Sequence, residues 1–87
     1  MPRDIDLIIE RLKAELSEVQ VTQLHVTHRG ADDNGLWFVT IAGRPEKVQL
    51  ESPHGGCPFL IESDFSDKQH YGATVDEVVS TVRSLYA

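Results

Sequence analysis

Only one cysteine, Cys57, stands among the 87 residues, and a lone thiol cannot close an internal disulfide. Packing alone has to hold the fold, and a reducing compartment suits the composition. Long hydrophobic runs are missing as well. No apolar stretch approaches the roughly 20 residues that a bilayer-spanning helix needs. The start of the chain, Met1-Pro2-Arg3-Asp4, passes directly into an amphipathic pattern and has no secretory apolar segment. The expected location is cytoplasmic, with no membrane partner. Basic residues are scarce too: eight Lys and Arg stand against 14 Asp and Glu, a formal charge of -6. A field of that sign repels phosphate backbones and anionic lipid, so nucleic acid is not an expected partner. It favours solubility, or docking onto a basic protein surface. No repeat, linker or low-complexity stretch interrupts the chain, which reads as a single domain over residues 1–87.

What is present is an ordinary globular composition, 40% hydrophobic and 25% charged. A chain of this size buries only about 60–65% of its unfolded surface, so a stability on the order of 5–10 kcal/mol is expected. That supports one core and leaves little room for a deep private pocket.

Periodicity then divides the chain. Over residues 4–17, Ile5, Ile8, Ile9, Leu12 and Leu16 recur at helical spacing, with charged side chains on the other faces. Over residues 19–28 the pattern changes to β-branched residues, which predicts a strand. Asp32-Asp33-Asn34-Gly35 follows, and Asn-Gly accepts the positive φ angles of a tight hairpin turn. Further strands are predicted at 36–41, 46–51 and 59–61. Ala42-Gly43-Arg44-Pro45 and the Pro53-to-Gly56 segment supply the reversals between them. Residues 63–73 are polar, show no periodicity, and read as a loop. Thr74 with Glu77 three positions on has the form of a capping box. Val75, Val78, Val79 and Val82 then carry a second helix, one whose valines make it depend on packing.

The predicted fold is thus α+β: a two-layer sandwich with both terminal helices on one face of a four-stranded antiparallel meander, in the order α-β-β-β-β-α. The 36–41 strand is apolar on both of its sides. Trp37, Val39 and Ile41 point one way; Leu36 and Phe38 point the other. In the same way Leu60 opposes Phe59 and Ile61. If one side is the core, the other leaves an apolar patch, and such patches mark contact sites. The candidate binding residues are Leu36, Phe38 and Leu60, with Asp32, Asp33 and Glu62 on the rim. The expected partner is another protein, or a second copy of the chain in a homodimer. Immunity proteins and secretion chaperones are analogies of size, charge and architecture for such a role.

Chemistry has weaker support in the sequence. The spacings His25-x-x-His28 and His54-x-x-Cys57 are ligand-like, but positions three apart on a strand set His25 and His28 on opposite faces, and the tighter Cys-rich spacing of a structural site is missing, so no metal is expected. Asp32 to Gly35 lacks the twelfth-position glutamate of a calcium loop. Gly55-Gly56 lacks the Lys-Ser/Thr ending and the following helix of a phosphate loop. Cys57 activated by His54 or His70 is the one enzymatic alternative, set against the commoner role of a lone cysteine as a small buried hydrophobe. No catalytic residue and no cofactor is assigned.

Overall fold

The computed structural model describes residues 3–24 and 35–87. Helix α1 spans Asp4–Glu15, followed by β1 (Val19–Gln23), β2 (Leu36–Ile41), β3 (Val48–Glu51), β4 (Phe59–Ser63), β5 (Ser66–Gly72) and α2 (Val75–Tyr86). Every strand pairs antiparallel with its chain neighbour, giving the order β1-β2-β3-β4-β5. The expected α+β sandwich is therefore present, with five strands in place of four. The additional strand is β5, inside the segment read as a loop. Its seven residues are polar apart from Tyr71 and Gly72, and nearly all are exposed. An edge strand whose residues Ser66 to Gln69 are all exposed has no apolar alternation to show. The hairpin before it turns through Asp64-Phe65, without the glycine or asparagine that signals a tight turn. The predicted Asn34-Gly35 turn and the far end of the first predicted strand fall largely outside the described residues.

The core lies between the helices and one side of the sheet. Ile5, Ile8 and Leu12 of α1 and Val78, Val79 and Val82 of α2 are fully buried against Val39, Val48, Leu50, Phe59 and Ile61. Trp37 meets Phe59 edge to face at 6.3 Å between ring centres, a favoured aromatic geometry. Gly72, the last residue of β5, packs so close to α2 that a Cβ there would sit 2.4 Å from Val78 Cγ2.

The helix ends are built as the sequence indicates. Thr74 Oγ1 accepts the Glu77 N–H at 3.1 Å, and Glu77 Oε2 accepts the Ala73 N–H at 2.7 Å. On α1, Asp6 Oδ2 accepts the Arg3 N–H at 2.9 Å. Arg11 pairs with Asp76 and with Glu15, and Arg83 pairs with Glu15 at 2.9 Å. These contacts step along both helices in the same sense, so α1 and α2 run parallel. Parallel neighbours align their dipoles unfavourably, and the alternating charges between them oppose that repulsion. Each exposed pair contributes about 1 kcal/mol or less.

Candidate binding face

Strand alternation sends Trp37 and Val39 into the core and Leu36 and Phe38 to the other side of the sheet. Among the described residues the helices cover only the first side, and the second is the open face. The register aligns Leu36, Glu51, Leu60 and Tyr71 in one row across β2, β3, β4 and β5. Leu24, one step past β1, donates its N–H to Leu36 O at 2.9 Å and extends the row. With strands about 4.8 Å apart, the row from Leu36 to Tyr71 is roughly 14 Å long. The next row holds Thr22, Phe38, Gln49 and Glu62. Leu36, Phe38 and Leu60 are half-buried by their neighbours. Tyr71 is 70% exposed, and it and Leu7 are the exposed large hydrophobic side chains of the described residues.

The electrostatics of this face are one-sided. Strands β1 to β4 contain no lysine, arginine or histidine, whereas Glu51 and Glu62 both project from the open face. Glu62 accepts a weak hydrogen bond from Gln69 Nε2 at 3.4 Å. The arginine ion pairs lie elsewhere, on the helices and at Arg44–Glu46 beside the β2–β3 turn.

Of the residues expected to form a docking patch, Leu36, Phe38, Leu60 and Glu62 share this face. Asp32 and Asp33 lie outside the described residues. Three members, Leu24, Glu51 and Tyr71, were not among the expected residues. Glu51 was legible, since it alternates with Leu50. Tyr71 was not, because its strand was read as a loop.

Comparison with family models, with curated proteins and with solved structures finds no match.

The alternative thiol site has a different character. The loop carrying His54, Gly55, Gly56 and Cys57 is fastened to the start of α1. Ile5 N donates to Gly55 O at 2.8 Å, Cys57 N donates to Asp4 Oδ2 at 2.8 Å, and Ser52 Oγ donates to Gly56 O at 2.5 Å. Gly55 has φ +72°, and a Cβ there would lie 2.9 Å from Ile5 Cγ2, so the glycine serves this close approach. Burial and the Asp4 carboxylate push the Cys57 thiol above its ordinary value. An activated nucleophile requires the reverse shift. His70 does not adjoin the thiol along the strand: its register partner is Ile61, four positions beyond Cys57. Among the described residues no group of three or more His, Cys, Asp and Glu side chains is placed to hold a metal ion. His25 and His28 fall outside those residues.

Proposed function

We propose that this chain is a protein-binding module that docks through its open sheet face. The observation behind this reading is the row of Leu24, Leu36, Leu60 and Tyr71, interrupted by Glu51 between Leu36 and Leu60 and with Phe38 beside it, on a sheet face that neither described helix covers. Hydrophobic contact supplies the driving force, and an exposed tyrosine is a frequent anchor at interfaces. Glu51 and Glu62 stand within and beside the apolar row without a base on the same strands, which favours a partner presenting lysine or arginine around an apolar centre. Self-association through the same face would bring the acidic pairs of two copies together, so a heterologous partner fits better.

The test is affinity capture from native lysate with the wild-type chain and a Leu36→Lys/Phe38→Lys variant as baits. A stoichiometric partner lost with the variant, and weakened by Glu51→Lys, supports docking through this face. Circular dichroism on the variant reports the fold. A folded variant that captures the same partner equally well overturns the reading. Activity on a small substrate is the competing class, and the raised Cys57 thiol gives it no support.

A further inference from the structure

The apolar row of the open face is one residue wide and has a carboxylate at its centre. We propose that the occupant of this row is an amphipathic helix of the partner, lying across the strands with a lysine or arginine seated on Glu51. The inference rests on the reading of the open face as a docking surface and specifies what docks there.

Glu51 sets the first requirement. It stands between Leu36 and Leu60, with Leu24 and Tyr71 beyond them, so the row reads apolar, apolar, acidic, apolar, apolar. A wholly apolar cover would strip water from the carboxylate and give no partner in return. None of the ion pairs among the described residues involves Glu51. Lys47, just before β3, is about 13 Å from it along an extended chain. A surface that covers the whole row therefore has to bring a cation to its middle.

Width sets the second. Beside the row lie Thr22, Phe38, Gln49 and Glu62, polar except for Phe38. On the other side no further row follows, because β2 begins at Leu36 and β3 ends at Glu51. A partner sheet laid face to face would cover Thr22, Gln49 and Glu62 too and take their water away. The narrow apolar stripe of a helix covers the row and leaves those side chains solvated.

Spacing sets the third. With strands about 4.8 Å apart, the row from Leu24 to Tyr71 spans roughly 19 Å. Helix positions i, i+4, i+7, i+11 and i+14 advance by about 5.4 Å on average and span about 21 Å. Alternate residues of an extended segment advance by about 6.8 Å and would reach roughly 27 Å over the same steps. The helix keeps step with the row, and the extended segment does not. Across the strands the sheet turns left-handed by about 20–25° per strand, and a helical stripe read in sevens drifts in the same hand. In either direction along the row the base falls at the central position.

The probe is a synthetic alanine-rich helical peptide with leucine at i, i+4, i+11 and i+14 and arginine at i+7, titrated into the isotope-labelled chain and followed by NMR. Binding should shift the amide signals of Leu36, Glu51, Leu60 and Tyr71. Exchanging the central arginine for glutamate should weaken it by about tenfold or more. A second control with proline beside the arginine cannot hold the helix and should bind no better. Glu51→Lys should reverse the preference, favouring the glutamate peptide over the arginine one. Glu51 is exposed, and circular dichroism verifies that the variant keeps its fold. Silence of those amides at millimolar peptide, equal binding of the proline control, or an unchanged preference in Glu51→Lys overturns the proposal. If capture from lysate still depends on Leu36 and Phe38 in that event, the open face remains a docking surface for an occupant of another shape. Loss of that dependence as well removes the reading beneath it.

Discussion

Tyr86 Oη lies 2.8 Å from the carbonyl oxygen of Glu46, tying the last turn of α2 to the approach to β3. The same hydroxyl is 3.1 Å from Val39 O, within β2. A phenol has one proton, so the two carbonyls share a single donor. Around it, Arg44 stands 5.5 Å from the Tyr86 ring centre and 5.8 Å from that of Phe65, whose ring meets Tyr86 edge to face. Removing only the hydroxyl, Tyr86→Phe, should cost about 1 kcal/mol. Tyr86→Ala should cost about 3 kcal/mol or more, because the ring's burial is lost too. Urea midpoints read both, and equal losses would show the ring to be irrelevant.

Alkaline pH should act on the same residue. Burial, with the carboxylates of Glu46 and Asp64 adding to it, raises the Tyr86 hydroxyl above its ordinary value, while Arg44 opposes the shift. Cys57 is raised as well, by burial and by Asp4. In each case the folded state holds its proton longer than the unfolded chain does. The stabilisation is complete below the unfolded pKa and is lost as pH rises through the folded one. Urea midpoints should therefore begin to fall near pH 9 and drop further above pH 10. Tyr86→Phe should flatten the upper part of that decline, and a variant with an unchanged slope would assign it to other groups.

The N-terminus of α2 offers a separable test. Thr74→Ala removes the acceptor for the Glu77 N–H and should cost about 1 kcal/mol. Glu77→Gln keeps a carbonyl oxygen for the Ala73 N–H and should cost less. Thermal unfolding of the two variants gives the order, and a larger loss for Glu77→Gln would assign the cap's stability to charge.

Cys57 should be a sluggish thiol. At neutral pH its alkylation by iodoacetamide should run slower than that of free cysteine, since the thiolate is disfavoured. Asp4→Asn should speed the reaction by removing the adjacent negative charge. Mass spectrometry follows both rates, and alkylation faster than free cysteine would restore a catalytic role to this loop.

How much of this was legible in the sequence follows burial closely. Both helices and β2 to β4 have one side against the core, and their apolar spacing shows it. The helix registers of Ile5, Ile8 and Leu12 and of Val78, Val79 and Val82 needed nothing else. β5 meets α2 only toward its C-terminal end, and its Ser66-to-His70 run carries no pattern that distinguishes strand from loop. That one omission concealed Tyr71, whose place beside Leu60 comes from pairing between strands rather than from any spacing along the chain. Leu36, Phe38 and Leu60 were legible because residues that alternate with buried ones must face the other way. The fastening of Gly55 and Cys57 to α1 joins segments some fifty positions apart, and no local signal carries that.

The order of the elements has a consequence for how the chain reaches its fold. The sheet pairs only neighbouring strands, and the hairpins from β2 to β5 close over short loops at small entropic cost. The helix layer is different: Arg11 of α1 meets Asp76 of α2 across 65 positions. Synthesis proceeds from the N-terminus, and α2 is the last described element to be made. Until then one half of the sheet's apolar side has no cover. A nascent chain of this protein therefore carries a paired but sticky sheet until the residues of α2 arrive, and that interval is when it most needs protection from aggregation.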